Sequence, residues 1–198
     1  MARSGAGLAA DEATSNAAAA TQVSGKESLW FELVTAALYH RDRLTWFIAL
    51  HRGSMFANAF LGTAAVATLL QQQRWLIVAA SLLLAFVSAA SLAFDFAGNA
   101  RKHEDRRRTY HDLAAQLEEA ADDESAVRLL RAKLIRTAGD DPVVYKAAES
   151  VAYNAAIKSL GRDLDDEFIL TGTQRFFRNL LTYSGTKFPQ RRDLKSMR

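Results

Sequence analysis

The chain has 198 residues, enough for one ordinary domain, and a charged fraction of 24% with a mean hydropathy near zero reads at first as soluble. Cysteine is absent, which excludes disulfides, thiolate metal sites and cysteine nucleophiles and leaves four histidines as candidate imidazole ligands. The averages hide the distribution: Gly53 to Gln73 and Trp75 to Phe94 carry no charge, and the +3 net charge sits entirely in residues 162–198.

Residues 1–27 are rich in Ala, Ser, Gly and Thr, with no apolar run of the signal-peptide kind and only Arg3 and Lys26 as cations. They predict a disordered leader, since a helix at Ala17–Ala20 is too short to persist alone in water. From Ser28 onward, Leu29, Trp30, Leu33, Ala37, Leu44, Phe47 and Leu50 recur at three- and four-residue spacing around a polar patch of Arg41, Asp42 and Arg43. The pattern predicts an amphipathic pre-membrane helix over 28–52. Its Trp30, Tyr39 and Trp46 suit either the headgroup layer or packing against cytosolic helices.

Gly53 to Gln73 gives 21 uncharged residues and Trp75 to Phe94 another 20. At about 1.5 Å per residue, each matches a hydrocarbon layer of about 30 Å. The predicted spans are 53–73 and 75–95, the second being the more apolar. Only Gln71, Gln72, Gln73 and Arg74 separate them, so the spans are antiparallel neighbours. Arg41, Arg43 and Arg52 precede the pair and Arg101, Lys102, Arg106, Arg107 and Arg108 follow it, whereas the turn carries Arg74 alone. Both termini are therefore expected in the cytoplasm, with those eight flanking cations at the lipid headgroups. The competing reading, two helices buried in a soluble bundle, would also be apolar all round.

Residues 99–124 predict a helix that is basic first and acidic second, with a break from the preceding span expected at Gly98. Ser125 to Ala138 predicts another, with Val127, Leu130, Leu134 and Ile135 on one face and Gly139 as its stop. In the next, Asp140 or Asp141 is a candidate cap, Pro142 suits the first position and Gly161 closes the run. These helices, over 99–161, make a cytosolic bundle. Residues 162–198 supply a C-terminal helix, interrupted by Gly172, and a basic tail. The fold class is thus an all-α membrane protein: a transmembrane helical hairpin with an amphipathic pre-membrane helix and a cytosolic helical bundle.

The recognised catalytic signatures are missing, so the chain is not read as an enzyme and no cofactor is assigned. His103 and His111 lie two turns apart, too far to share one metal without further ligands, and like His40 and His51 are read as solvated. Asp163, Asp165, Asp166 and Glu167 cluster, yet the glycine and distal glutamate of a calcium loop are missing; acids in a first helical turn are the better reading. The tail cations Lys187, Arg191, Arg192, Lys195 and Arg198 could touch phospholipid or nucleic acid. In an anchored protein lipid is the nearer partner, and a solvated, disordered tail is the plainer reading.

Within the spans, Ser54, Asn58, Gly62 and Ala65 share a face with Thr68 close by, and Ser81, Ala85, Ser88, Ser91 and Asp95 share another. Such stripes let membrane helices pack closely. If several copies assemble, one stripe could instead line a water-filled path, with Asp95 as an ionisable group at its cytoplasmic mouth.

The aromatic and basic helix around Tyr39-His40-Arg41 and Trp46-Phe47, the short turn, Asp95-Phe96, the basic Arg101 to Tyr110 helix and the Asp140-Asp141-Pro142 to Gly161 helix together resemble the SLATT superfamily. These are two-span effectors of bacterial nucleotide-signalling and related conflict systems. The resemblance covers about residues 28–161. It implies a membrane effector that oligomerises and disrupts or permeabilises the inner membrane in defence, as against phage, when a partner system signals. The alternative is a passive two-span anchor or scaffold that recruits a soluble partner enzyme.

Overall fold

The computed structural model describes residues 5–63, 73–120 and 123–196. Among them the regular structure is helical: α1 (Gly5–Leu61), α2 (Arg74–Phe94), α3 (Phe96–Glu119), α4 (Glu124–Gly139), α5 (Lys146–Ser159), a 3-10 turn (Leu164–Asp166), α6 (Gly172–Phe176) and α7 (Arg191–Ser196). One isolated bridge joins Phe168 and Gln190. The chain divides into two compact units, one of residues up to Tyr39 and from Arg107 onward, the other His40–Arg106.

The first unit is organised around α1. Leu29, Leu33 and Ala37, four residues apart, bury against Tyr110, Leu113, Ala114 and Leu117 of α3 and Val127, Leu130 and Leu134 of α4. Full burial of one such leucine contributes about 2 kcal/mol. The other side of α1 is covered as well. Phe31 packs on Ala156 and Ile157, and Tyr39 on Ala148 and Ala152, where the small α5 side chains let the aromatic rings come close. Trp30 packs against the larger cluster, so for Trp30 and Tyr39 packing is the structural role. Ile135, expected on the inner face of α4, is exposed.

Several boundaries differ from the sequence pattern. The helix continues back to Gly5 across the stretch read as a leader. Alanine is the best helix former, and extending a packed helix avoids the cost of a new nucleus. Neither Asp140 nor Asp141 caps α5, which starts only at Lys146. Asp141 accepts the Tyr110 hydroxyl at 2.5 Å, and the Tyr145 amide donates to the Tyr39 hydroxyl at 3.2 Å, so Pro142 lies in a stretch without regular structure. Gly161 closes the segment as expected: its φ of 63° is left-handed, and the next amide, Arg162, reaches the Ile157 carbonyl at 3.0 Å.

The expected C-terminal helix is broken into a turn and two short helices. Thr171 and Gln174 form a reciprocal capping box, so Gly172 begins α6 rather than interrupting a longer helix. The tail is ordered through Ser196 because α7 seats on the acidic turn. Lys195 meets Asp165 at 2.6 Å, Arg192 meets Asp166 at 2.6 Å, and Arg191 meets Glu167 at 2.6 Å. Glu167 is buried and also pairs with Lys158 of α5 at 3.0 Å. The acidic cluster and the basic tail, read separately in sequence, are two halves of one contact.

Candidate functional site

The second unit contains the end of α1, α2 and the start of α3. Asp95 is the residue between α2 and α3. It is the left-handed cap of α2, with φ 39°, and its carboxylate accepts the Gly98 amide at 3.0 Å, the third residue of α3. Asn99 closes the joint by donating its side-chain amide to the Phe94 carbonyl at 2.7 Å. The break therefore falls at Asp95, not Gly98. Aspartate tolerates the left-handed region and is a strong N-cap, and here it does both, with its carboxylate lying close over Gly98. A Cβ on Gly98 would lie 2.0 Å from the Asp95 carboxylate.

The end of α1 and α2 meet through polar side chains. Ser88 donates to the Asn58 side-chain oxygen at 2.9 Å. Ser54 spends its proton on the His51 carbonyl at 2.8 Å, so at 3.4 Å Ser91 is left to donate to Ser54. The register is antiparallel, since moving forward from Ser54 to Asn58 moves back from Ser91 to Ser88. Four of the stripe residues are thus brought together in two facing pairs. Gly62 lies just past the end of α1, Ser81 and Ala85 are exposed on α2, and Ala65 and Thr68 lie outside the described residues.

Large apolar side chains point the other way. Met55, Phe56 and Phe60 of α1, and Trp75, Leu82, Phe86 and Leu92 of α2, are exposed, Phe86 by 71% and Leu92 by 83%. No residue of α2 is buried, so it is not a core helix of this chain. Among the described residues, one helix, the run Arg74–Glu119 of α2 and α3, is long and apolar enough to cross a membrane, and none of its apolar stretch is covered. The first predicted span is helical to Leu61, and its residues 64–72 lie outside the described ones.

No family model, curated protein or solved structure matches the chain. Its chemistry must be read from its own residues.

The same unit holds a cluster that residue spacing did not reveal. His40 and His103, read in sequence as solvated, are both buried and meet Nδ1 to Nδ1 at 2.8 Å. Phe47 stacks on His103 with ring centroids 5.6 Å apart, and the Arg43 guanidinium lies 4.9 Å from the Phe47 ring and 5.3 Å from that of Trp46. Arg43 is thus packed on aromatic faces instead of presented to headgroups. Of the other predicted headgroup cations, Arg41, Arg52, Arg101, Lys102 and Arg108 are exposed, whereas Arg106 and Arg107 are half-buried. Among the described residues, no group of three or more His, Cys, Asp or Glu could hold a metal.

Proposed function

We propose that the chain is a membrane effector: a two-span helical hairpin of the bacterial inner membrane, both termini cytoplasmic, that oligomerises and permeabilises the bilayer when a partner sensing system triggers it. The observation that carries this reading is the pairing of Asn58 with Ser88 between helices that expose Phe56, Phe60, Leu82 and Phe86. A pair built for water buries its apolar side chains and exposes its polar ones. Here the arrangement is inverted, which suits a lipid surround where small and polar residues drive helix pairing.

One hairpin cannot enclose a path for water, so permeabilisation requires several copies, and the polar pairs are the surface that can exchange partners between them. The resemblance to SLATT effectors supplies the setting, a response such as antiphage defence in which a nucleotide signal or another partner releases the protein. Controlled expression with a membrane-potential dye tests the reading. Once the partner system is triggered, the natural chain should collapse the potential, and Asn58→Leu with Ser88→Leu should stay in the membrane without collapsing it. An undisturbed potential with the natural chain, even when the partner system is triggered, defeats permeabilisation. Retention of full biological activity by the double variant would identify a passive scaffold for a soluble enzyme.

A further inference from the structure

We propose that His40 and His103 form an acid-released clamp on the cytoplasmic legs of the hairpin, closed while one ring donates to the other and opened when the accepting ring is protonated. As the contacts run from His40 through Ser54 to Asn58 on α1, their partners run back from His103 on α3 through Ser91 to Ser88 on α2. One antiparallel register therefore holds both legs. The serine and asparagine contacts use hydroxyls and an amide, which keep their protons at any physiological pH. The histidine contact is the part of the register that titrates.

The proton count follows from the geometry. Both rings are buried and their Nδ1 atoms are 2.8 Å apart, so one Nδ1 donates and the other accepts. The donor ring can take a further proton at Nε2 without disturbing that bond. The accepting ring, when neutral, already carries its proton on Nε2, and the site left to it is the lone pair that holds the clamp. Protonating it turns two N–H groups against each other, so this proton enters only as the rings part. The open state thus binds one proton more than the closed one, and acid favours opening. The charged residues one helical turn from the pair are Arg43 on α1 and Arg106 and Arg107 on α3, while the half-buried acids Asp42 and Glu104 follow His40 by two residues and His103 by one. With three guanidiniums to two carboxylates, these neighbours do not offset the repulsion between two protonated rings.

The setting of the clamp rests on the membrane reading above, because proton entry is one consequence of permeabilisation and a first leak would then loosen the legs further. The clamp itself is read as a distance. The chain lacks cysteine, so introduced cysteines are unique sites for nitroxide labels. Thr45→Cys with Lys102→Cys, both exposed, spans the legs near the clamp, and Met55→Cys with Leu92→Cys, also exposed, spans them next to Ser54 and Ser91. Pulsed spin-resonance distances are taken on each full-length chain in detergent between about pH 8 and about pH 5, the range in which imidazole ordinarily changes charge. The Thr45–Lys102 distance should lengthen reversibly on acidification, the open-to-closed ratio rising by up to about tenfold per pH unit, while the Met55–Leu92 distance stays constant. His40→Leu with His103→Leu should remove the response. Should that variant fail to fold, nitrogen-15 histidine spectra of the natural chain supply a second reading: one of the two rings should gain its proton at Nδ1 over the same pH range in which the distance lengthens. A constant Thr45–Lys102 distance, a response that survives the double leucine change, a Met55–Leu92 distance that lengthens in step, or a ring that gains this proton with the legs still closed overturns the clamp. The potential dye decides permeabilisation separately, since the distances are read on the legs whether or not the protein breaches a membrane.

Discussion

His40 and His103 share a single hydrogen bond between their Nδ1 atoms, 2.8 Å apart and almost wholly buried. One ring must present N–H and the other a lone pair, so the contact ties α1 to α3 across 63 residues of sequence by a proton that only one partner can supply. Truncating one ring leaves the other's nitrogen buried without it. His103→Ala should therefore lower stability by about 1–3 kcal/mol plus the loss of the Phe47 stack. His40→Leu with His103→Leu should cost less than the sum of the two single changes. Thermal unfolding of the purified protein measures both, and strict additivity would show that the pair is not coupled.

Asp95 and Gly98 offer a separate test, because the sequence presents Asp95 as an ionisable group at a pore mouth while its geometry makes it a helix junction. Asparagine keeps the cap and tolerates the left-handed backbone but carries no charge. Asp95→Asn should thus leave both stability and any conductance close to unchanged. Asp95→Ala should destabilise by about 1–2 kcal/mol through the lost cap and the left-handed strain. A conductance that falls in the asparagine variant with unchanged melting would instead support the pore-mouth role.

Much of this was legible in sequence because it depends on local pattern. The helical class, the charge-free stretches, the facing of Ser54 and Asn58 with Ser88 and Ser91, and the Gly161 stop all follow from periodicity and small-residue spacing. What escaped depends on partners distant in the chain. Phe31 and Tyr39 fall off the apolar stripe of α1 because α5 covers a second side. His40 reads as solvated until His103 arrives opposite it. The acidic 163–167 turn reads as a weak metal candidate until the tail folds back with matching cations. Asp141 is no cap because the helix starts only at Lys146, and its carboxylate meets the Tyr110 hydroxyl instead.

One acid-sensitive contact lies at the start of α4. The Ser125 hydroxyl and backbone amide both donate to the Asp123 carboxylate, at 2.8 and 2.9 Å, and hold its pKa below the ordinary 3.8. The folded value is lower than the unfolded one, so this stabilisation is fully present above the ordinary carboxylate value and is lost as pH falls through the depressed value. Helicity followed through an acid titration should fall at higher pH in Ser125→Ala, whose carboxylate loses the hydroxyl donor first in importance. An unchanged acid limb would remove Asp123 from the account.

The tail contacts should be unequal despite similar distances. Lys195 and Asp165 are 65% and 34% exposed, so water and salt screen their attraction, and Lys195→Ala should cost about 0–1 kcal/mol. Glu167 is only 5% exposed and receives Lys158 and Arg191 together, while its partners stay 64% and 45% exposed and can be rehydrated if it is neutralised. Glu167→Gln should therefore cost about 1.5–3 kcal/mol, the range for hydrogen bonds to charge, and not the larger penalty of stranding a buried charge. Conversely Lys158→Ala with Arg191→Ala would strand that carboxylate and should cost about 3–5 kcal/mol. Chemical denaturation of the three variants gives the order, and a Lys195 effect equal to that of Glu167 would show that burial does not set the strength of this contact.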